Sequence, residues 1–503
     1  MILTTNRIRN NILLFVRMIS AIRTPRILRK ITGFQTFSVR NFISESVFKQ
    51  LRNIVGDSNF SVSPPVLQHH GQDMGPHGGH PPHAVVWPGD RDEVAAICRL
   101  CHLNKVPIIP YGTGTGLEGG IVAVQGGVVV NLTNMEKIVA VHEEDFTAIV
   151  QPGVTREKLN AELRSCGLWF PVDPGADASI CGMVATGASG TNAVKYGTIK
   201  ENTINMEVVL ADGEIIETAG VGVRPSKSSA GYNLTELFLG SEGTLGLITQ
   251  ATIRLHPLPE CVAAAVVSFP DLHAAVATVV STLQAGVGIA RMELLDEVQM
   301  KACNQYSNLE YAESPTLFIE FHGSQSGVSE QVETVKMISE QNNGGEFLWA
   351  DQQEDRSRLW KARHAVHHAN KAYCPGYRGL ATDVCVPISQ LPTIVTETKQ
   401  EISKLGLVGP IVGHAGDGNF HSMLMFNPNN KEEESLCELV AERMARRALE
   451  LGGTISGEHG VGLGKVKLLE EQFGRGGISV MRRIKQAVDP NNILNPGKVL
   501  SCP

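Results

Sequence analysis

The chain has 503 residues and a formal net charge of −7, an acidic balance that excludes proteins binding nucleic acid through a generally basic surface. Its length exceeds that of one ordinary hydrophobic core and predicts about three folding units. Glycine occurs 51 times, well above its usual share of about 7%, and the ten cysteines follow no regular spacing. We therefore expect loops that turn tightly or approach a ligand closely, and no disulfide framework.

The first 44 residues differ from the rest of the chain in charge. They are rich in arginine and contain no acidic residue before Glu45. Such a segment, interleaved with Ile, Leu and Phe, is typical of a mitochondrial transit peptide. Arg17 and Pro25 interrupt its apolar runs, so we do not expect a helix that spans a membrane there. A basic arm at a membrane surface is the alternative interpretation.

Residues 85–258 alternate short β-branched runs with turns and a few helices, which indicates an α+β region dominated by strands. One predicted helix contains C-R-L-C-H at residues 98–102, the C-x-x-C-H signature of c-type haem attachment. Asp90 and Glu93 form a helix start ahead of it, and both cysteines fall on the apolar face. We therefore predict core cysteines in place of a haem site.

Three stretches of glycine and small polar residues lie in this region. Residues 110–120 hold five glycines directly after the predicted strand VPIIP, and such a loop can aim several backbone N–H groups at one anion. A strand follows where the dinucleotide fingerprint requires a helix, and the lysine of a P-loop is missing. Residues 174–197 and 240–246 supply the other two stretches. Three loops that converge on one elongated ligand explain the glycine excess better than three unrelated turns.

Beyond residue 260 longer helical patterns alternate with strands, which predicts a second α+β domain. Residues 274–290 are uncharged but contain Thr, Ser, Gln and Gly, so we predict a buried helix and no membrane span.

The stretch GHAGDGNFH at residues 413–421 predicts a hairpin. A two-residue Asp417-Gly418 turn would place His414 opposite His421. Opposed residues have Cβ atoms roughly 4.5–5.5 Å apart, close enough for both imidazoles to hold one metal ion. A pair of stacked or solvated histidines is the alternative.

The order of these motifs resembles a known family. Similarity to the FAD domain of the vanillyl-alcohol-oxidase type rests on P-x-G-x-G-T-G-L-x-G-G, G-M-V-A-T-x-A-S-G-T-N, Y-G and G-S-E-G-T-L-G. Similarity to its FAD-linked oxidase C-terminal partner rests on G-H-x-G-D-G-N-F-H, G-E-H-G-x-G and I-L-N-P-G-K. The motifs RMELLDEVQMKACN, LWKARHAVHHA and TDVCVPISQL bring the chain closer to family members that oxidise D-2-hydroxy acids.

The resemblance implies an α+β fold. Two subdomains of a PCMH-type domain clasp FAD, and an α+β cap domain with a central antiparallel sheet covers the flavin ring. The expected division is a mitochondrial transit peptide at 1–44, the FAD-binding domain at 45–260, the substrate or cap domain with a metal site at 261–470, and a C-terminal segment at 471–503 that returns to the FAD domain.

The resemblance also implies which residues hold FAD. In the first loop they are Pro110, Gly112, Thr113, Gly114, Thr115, Gly116 and Leu117. In the second and third they are Pro174, Gly182, Ser189, Gly190, Tyr196, Gly197, Glu242 and Ile248, and the tail adds Asn495. Cys181 and Gly187 depart from the family pattern, which usually has Gly and Asn there. Members with covalent flavin have a histidine in the first loop, so its absence here predicts non-covalent FAD.

Within the resemblance, the metal ligands are His414, His421 and Glu458. Two histidines and a carboxylate form an open site that suits Zn²⁺, Mn²⁺ or Fe²⁺, and we expect Zn or Mn. His459 is predicted to take the hydroxyl proton of the substrate, because a neutral histidine suits a base near neutral pH. Arg363 matches a carboxylate-binding arginine of the family. Asn419 can hydrogen-bond to the substrate, with a turn residue as the alternative.

Together these expectations describe FAD- and metal-dependent oxidation of a small D-2-hydroxy acid, with D-lactate as substrate, pyruvate as product and cytochrome c as acceptor. D-2-hydroxyglutarate and glycolate are close alternative substrates. A His₂Glu metallohydrolase is a distant alternative that leaves the glycine loops without a role. We expect a mitochondrial protein without nucleic-acid partners or a transmembrane segment, and peripheral contact with the inner membrane stays open.

Overall fold

The structure is a computed structural model that describes residues 43–350 and 352–501. The predicted transit peptide at 1–44 lies outside these residues apart from its last two positions. Three main β-sheets organise the described chain. Among the described residues, no helix combines the length and the apolar composition needed to cross a membrane.

The first sheet has four strands. They are β1 (Phe60–Ser61), β2 (Ala84–Val86), β3 (Ile108–Tyr111) and β4 (Val128–Asn131). In the order β1-β2-β4-β3, strand β4 pairs in parallel with β2 and β3, whereas β1 pairs antiparallel with β2. The helices here are α1 (Glu45–Val55), α2 (Pro64–His69) and α3 (Arg91–Asn104). Parallel strands need a crossover connection, and α3 provides one between β2 and β3.

Helix α3 confirms the prediction for the cysteine motif. Asp90 caps the helix, because its Oδ1 accepts the backbone N–H of Glu93. Glu93 reaches back to the N–H of Gly89, one residue earlier than an ordinary capping box. Cys98 and Cys101 are both free thiols within the hydrophobic core. The motif is therefore part of an ordinary amphipathic helix.

The second sheet has five antiparallel strands. They are β5 (Ile138–His142), β6 (Thr147–Val150), β8 (Thr203–Val209), β9 (Ile215–Glu217) and β10 (Leu247–Arg254), and a separate short pair joins β7 (Leu168–Trp169) to β11 (His256–Pro257). The order in the sheet is β5-β6-β10-β8-β9. The helices of this part are α4 (Arg156–Glu162), α5 (Ile180–Thr186), α6 (Ala193–Tyr196), α7 (Ile199–Asn202) and α8 (Leu234–Phe238).

The third sheet is antiparallel throughout and forms the predicted cap. Its strands are β12 (Cys261–Ser268), β13 (Ile289–Leu295), β14 (Thr316–Gly323), β15 (Phe347–Ala350), β16 (Arg378–Ala381), β17 (Val384–Cys385), β18 (Ile411–His414) and β19 (Asn419–Phe426). The order is β15-β12-β14-β13-β18-β19-β16, and β17 also pairs with β19.

Helices connect these strands and follow the last one. They are α9 (Leu272–Gln284), α10 (Glu297–Ser307), α11 (Gln325–Gln341), α12 (Gln353–His364), α13 (Val366–Tyr373), α14 (Leu391–Lys404), α15 (Lys431–Glu450) and α16 (Val466–Val488). Helix α9 confirms the buried helix predicted within residues 274–290. After α16 the tail returns to β3, where Ile108 donates its N–H to the Ile493 carbonyl at 2.7 Å.

The alternation of side chains on β13 decides where its acidic residue lies. Met292 and Leu294 pack into the core on one face of the cap sheet. Leu295 packs into a separate core on the opposite face. Because successive strand residues point to opposite faces, Glu293 shares the face of Leu295. That placement brings the carboxylate of Glu293 to the histidine hairpin.

The predicted register of the histidine hairpin is wrong by two residues. His421 pairs with Val412, where the sequence predicted His414. Residues Ala415–Asp417 form a 3₁₀ turn in place of two further ladder pairs, and Asp417 Oδ1 accepts the N–H of Asn419 to close it. A shift of two residues keeps every side chain on its face. His414 and His421 are therefore diagonal neighbours, with ring centroids 5.5 Å apart.

Candidate active site

All three glycine-rich loops meet the cap domain at one cavity of about 370 Å³. This volume lies within the usual range for small-molecule sites, roughly 300–1,000 Å³. The predicted residues that line it are Pro110, Gly112, Thr113, Gly114, Thr115, Gly116, Leu117, Pro174, Gly182, Glu242, Ile248, Arg363, His414, His421, Glu458, His459 and Asn495. The predicted cofactor loops and the predicted metal site therefore belong to the same cavity.

The loop surface is shaped for a ligand that approaches the backbone. A Cβ atom at Gly112 or at Gly182 would lie 2.7 Å from Ser179 Oγ, so Gly112 lets the first loop approach the second closely and Gly182 leaves room for the Ser179 side chain within the second. Ser179 Oγ is buried and has no hydrogen-bond partner among the described residues. A Cβ atom at Gly116 would meet no protein atom within 4 Å, because this glycine faces the cavity. These features fit the polar groups of a dinucleotide such as FAD.

Four predicted cofactor residues do not line the cavity: Ser189, Gly190, Tyr196 and Gly197. Gly190 instead lets the backbone pass the Asp173 carboxylate, 2.6 Å from where its Cβ would stand. Tyr196 hydrogen-bonds to His322 Nδ1 at 2.8 Å and packs edge-on against Trp169. This part of the motif therefore contacts other parts of the protein and not the cavity.

The three predicted metal ligands converge. The Nε2 atoms of His414 and His421 each lie 3.2 Å from Oε1 of Glu458. Ligand atoms at about 2.1 Å from one ion, at tetrahedral or octahedral angles, are separated by roughly 3.0–3.4 Å. Glu458 Oε2 and His421 Nε2 are buried and lack a hydrogen bond of standard geometry among the described residues. The donor set and its unpaired atoms therefore fit a divalent ion.

Partners outside the cluster fix the two imidazole rings. Glu293 pairs with His414 across the ladder between β13 and β18, and its Oε1 lies 2.8 Å from His414 Nδ1. His421 Nδ1 lies 3.1 Å from the carbonyl oxygen of Thr382. In each ring Nδ1 carries the hydrogen toward an oxygen, so Nε2 is left as the ligand atom.

The carboxylates around the cluster also favour positive charge on His414. Burial alone would lower the pKa of His414, but the carboxylates of Glu293 and Glu458 raise it well above its ordinary value. Burial would raise the pKa of Glu458, and His414 and His421 lower it strongly. Carboxylates that stabilise positive charge on a histidine can likewise stabilise a bound metal ion, which would displace the ligand protons.

His459 lies beside the three predicted metal ligands, and one of its ring nitrogens has no hydrogen-bond partner among the described residues. Its ring stacks on that of His421, with centroids 4.8 Å apart and planes 15° apart. Burial lowers the pKa of His459 to about 4, so the ring is neutral near pH 7. The ring nitrogen without a partner is Nδ1, which is buried. The positive φ of Gly460, +79°, permits the tight turn that follows it.

Arg363 reaches the cavity from the last turn of α12. Its Nε lies 2.8 Å from Oε2 of Glu293, the carboxylate whose other oxygen holds His414. Burial would raise the pKa of Glu293, but Arg363 and His414 lower it. Glu293 therefore stays ionised and connects the predicted substrate arginine to the predicted metal ligand His414.

Asn419, predicted to contact substrate, does not line the cavity. Its Nδ2 donates to Asp383 Oδ1 and to the Val384 carbonyl, each at 2.8 Å. Asp383 Oδ2 accepts the backbone N–H groups of Gly457, Glu458 and His459 at 2.9–3.1 Å. In this arrangement Asn419 orients the carboxylate that holds the Glu458 loop.

Sequence reasoning missed four buried carboxylates that support the site: Glu118, Asp173, Glu293 and Asp383. Glu118 lies inside the first glycine loop, and Glu293 and Asp383 lie in the motifs RMELLDEVQM and TDVCVPISQL. For Glu293 the available signal was an acidic residue within an otherwise apolar strand, since such residues are rarely buried without a partner.

Comparison with known proteins matches both halves of the chain. Residues 82–219 match an FAD-binding domain, and residues 258–499 match the C-terminal domain of FAD-linked oxidases. A Danio rerio protein named probable D-lactate dehydrogenase, mitochondrial, is 52% identical over 96% of this chain and 97% of its own length. The chain belongs to the FAD-linked oxidase family. It is accordingly a flavin-dependent oxidoreductase.

Two further comparisons agree with this assignment, one in sequence and one in fold. Arabidopsis thaliana D-lactate dehydrogenase (cytochrome), mitochondrial, is 43% identical over 83% of this chain and 73% of its own length. The structure of p-cresol methylhydroxylase with substrate bound superposes with a TM-score of 0.76 at 20% identity, over 91% of this chain and 96% of that one. The predicted family, α+β fold class and FAD are thus confirmed, and the mitochondrial names agree with the predicted location.

Proposed function

We propose that this protein oxidises D-lactate to pyruvate with bound FAD and a divalent ion held by His414, His421 and Glu458. The observation that carries the proposal is the convergence of these ligands, His459 and Arg363 on the cavity lined by the glycine loops. The names of the D-lactate dehydrogenases from two organisms support the substrate. A metallohydrolase would need no cofactor loops on its cavity, so the metal site alone does not account for the arrangement.

Each group then has a chemical task. When bound, FAD supplies the acceptor for the hydride that leaves C2 of the hydroxy acid. The divalent ion supplies a positive charge that acidifies the hydroxyl group. His459 takes the hydroxyl proton at Nδ1, the buried nitrogen without a partner. Glu293 and Thr382 keep His414 and His421 in the tautomers that present Nε2 to the ion.

Arg363 binds the carboxylate of the substrate. Its Nε and Nη2 are held by Glu293, and Nη1 takes no part in these bonds. A planar guanidinium fixed on one edge can present its other nitrogen to an incoming carboxylate without losing orientation.

The charges around the cavity favour a monocarboxylate. Arg363 is the one Lys or Arg side chain among the described residues that line it. D-2-hydroxyglutarate carries a second carboxylate that would need its own cation, since a buried charge is costly unless it is paired. Val366, Val412 and Met423 line the same cavity and suit the methyl group of lactate.

The remaining expectations complete the proposal. We infer that residues 45–260 bind FAD, 261–470 form the cap with the metal site, and 471–503 return to the FAD domain. Hydrogen bonds from Asn495 Nδ2 to the carbonyls of Gly120 and Glu242 support that return. The ion is Zn²⁺ or Mn²⁺ and FAD is bound non-covalently. We also propose that the first 44 residues are a cleaved targeting segment, which N-terminal sequencing of the mitochondrial protein tests.

Cytochrome c is the proposed electron acceptor, supported by the word cytochrome in the name of the Arabidopsis relative. The test is the reduction of added cytochrome c by the purified protein with D-lactate, compared with oxygen consumption in its absence. Faster oxygen use than cytochrome reduction would contradict this acceptor.

The visible spectrum of the flavin tests the proposed reaction. The oxidised protein is mixed anaerobically with D-lactate, L-lactate, glycolate or D-2-hydroxyglutarate, each added to a fresh sample. We expect bleaching by D-lactate and none by L-lactate. Bleaching by glycolate or D-2-hydroxyglutarate alone would preserve the chemistry and refute the substrate. A fully loaded flavin that none of the four reduces would contradict the proposed reaction.

A further inference from the structure

Residues 456–465, SGEHGVGLGK, form a strap that carries both the metal ligand Glu458 and the base His459. The strap lies between α15 and α16 in the chain, and it has no regular secondary structure. Its position is therefore set by the groups that its backbone and side chains contact. Carboxylates from two different parts of the molecule provide most of those contacts.

The first half of the strap is held by the cap. Asp383 Oδ2 accepts the backbone N–H groups of residues 457–459, and also the hydroxyl of Ser456 at 2.8 Å. Asp383 is only 1% exposed and precedes β17 directly. The backbone N–H groups of Glu458 and His459 both donate to the Asp383 carboxylate. A shift of Asp383 therefore moves the proposed metal ligand and the proposed base together.

The second half of the strap is held by the FAD-binding loops. Glu242, in the third glycine loop, accepts the N–H groups of Val461 and Gly462 at 2.7 and 2.8 Å. The carbonyl oxygen of Glu118, in the first glycine loop, accepts the N–H of Leu463 at 2.6 Å. Both glutamates also line the cavity. A ligand that orders these loops therefore orders this half of the strap.

Lys465 joins the two halves. Its Nζ lies 3.1 Å from Asp383 Oδ2 and 3.1 Å from Glu118 Oε1. All three groups are less than 10% exposed. A buried ammonium between two carboxylates keeps them in a fixed relation, because moving either one would leave an unpaired charge in the interior.

We propose that Lys465 couples the FAD site to the metal site, so that each ligand tightens the binding of the other. FAD fixes the loop that bears Glu118, and through Lys465 it fixes Asp383 and the strap that presents Glu458. Ordering the strap costs conformational entropy. The first ligand to bind bears this cost, so the second ligand binds to a strap that is already ordered. Lys465 acts here as a positioning residue. The inference rests on the proposed function, in that it assumes both ligands bind.

Two-ligand binding experiments test the coupling without measuring turnover. The dissociation constant of Mn²⁺ is measured by competition with a chromophoric chelator, in FAD-loaded protein and in protein stripped of flavin. The ratio of the two constants is the coupling factor, which we expect to be about tenfold, within the usual range of roughly 5–150-fold. Thermodynamic linkage requires that Mn²⁺ change the dissociation constant of FAD by the same factor.

Substitution of Lys465 should abolish the ratio. In Lys465→Met we expect the coupling factor to fall close to one, even where both affinities are also weaker. Glu118→Gln, which leaves the lysine in place and removes one charge, should reduce the factor as well and serves where Lys465→Met does not fold. Lys399→Met is the matched control, because Lys399 is a largely buried lysine that pairs with Asp296 at 2.7 Å and does not line the cavity.

Each outcome has a definite meaning. A wild-type factor above one that is lost in Lys465→Met or Glu118→Gln and kept in Lys399→Met supports the proposal. A wild-type factor of one, or an undiminished factor in the Lys465 and Glu118 variants, overturns it. Failure of wild-type protein to bind Mn²⁺ or Zn²⁺ in either form would overturn the proposed metal site itself, which distinguishes that failure from a loss of coupling alone.

Discussion

The two walls of the cavity differ in the kind of residue that faces the ligand. The FAD-domain wall removes side chains, so that Gly112 lets the first glycine loop approach Ser179 of the second closely. The cap wall instead concentrates ionisable side chains and surrounds them with further charges, as in the chain from Arg363 through Glu293 to His414. Substitutions should therefore act by filling space on one wall and by unpairing charge on the other.

The largest effect should follow removal of a metal ligand from the cap wall. His421→Ala takes one of three ligands and the ring on which His459 stacks. We expect loss of bound metal and a fall in turnover of about 10⁴-fold, because the ion supplies several kcal/mol of transition-state stabilisation. Metal analysis and flavin absorbance should show that FAD is retained.

His367→Ala is the control for that experiment. His367 lines the same cavity, but among the described residues its ring nitrogens do not converge with the ligand atoms of His414, His421 and Glu458. Its metal content should match that of the wild type. Full metal occupancy in His421→Ala would contradict the assignment of this ligand.

The next largest effect should come from the base. His459→Gln should reduce kcat by about 10³-fold, within the range for general base catalysis, while the contents of metal and FAD stay unchanged. In the wild type, the lowered pKa of His459 keeps the ring neutral as the pH falls below 6.5, so kcat/KM should not decline with an ordinary histidine pKa. A variant that retains full activity would exclude His459 as the base.

A smaller effect should come from neutralising Glu293, whose carboxylate contacts Nδ1 of His414. Glu293→Gln should weaken metal binding by about 10–100-fold, the usual cost of losing such a partner. Glu320→Gln is the matched control, since Glu320 is buried on the neighbouring strand β14 and pairs with His322 and Arg291. Equal metal affinities in the two variants would show that Glu293 does not orient the ligand.

The smallest effect should come from filling space on the FAD-domain wall. Gly116→Ala adds a Cβ that meets no protein atom within 4 Å, so the stability of the apoprotein should not change. The added methyl group enters the space for the cofactor, and overpacking of about 1–3 kcal/mol corresponds to FAD binding at least about fivefold weaker.

Gly288→Ala controls for the substitution itself. Gly288 lies between α9 and β13, and its added Cβ likewise meets no atom within 4 Å. Fluorescence titration of FAD should show wild-type affinity there. Unchanged affinity in Gly116→Ala would place the cofactor elsewhere in the cavity.

The sequence predicted the residues of the FAD-domain wall better than the contacts within the cap wall, for a physical reason. Glycine loops and the histidine pair are local patterns, and their motifs can be identified within about ten consecutive residues. The partners that fix the cap wall are distant in sequence: Glu293 is 121 residues from His414, and Asp383 is 75 residues from Glu458. Such pairings depend on strand order in the cap sheet, which no local pattern shows.

The structure also differs in detail from two local predictions. The hairpin was predicted from its Asp-Gly pair, but the 3₁₀ turn at Ala415–Asp417 shifts the register by two residues. The face of the histidines was still right, because the shift is even. Tyr196 was assigned to FAD from its motif, whereas the structure engages its hydroxyl with His322. A motif locates a loop without deciding which of its side chains meet the ligand.

In the proposed function a metal ion and a flavin act on one substrate in this cavity. Anaerobic stopped-flow measurement of flavin reduction by D-lactate can show this, before chelation, after removal of the metal, and after Mn²⁺ or Zn²⁺ is restored. We expect fully loaded flavin that is no longer reduced by D-lactate in metal-free protein and is reduced again on metal addition. Reduction of the metal-free protein at the original rate would contradict the proposed function.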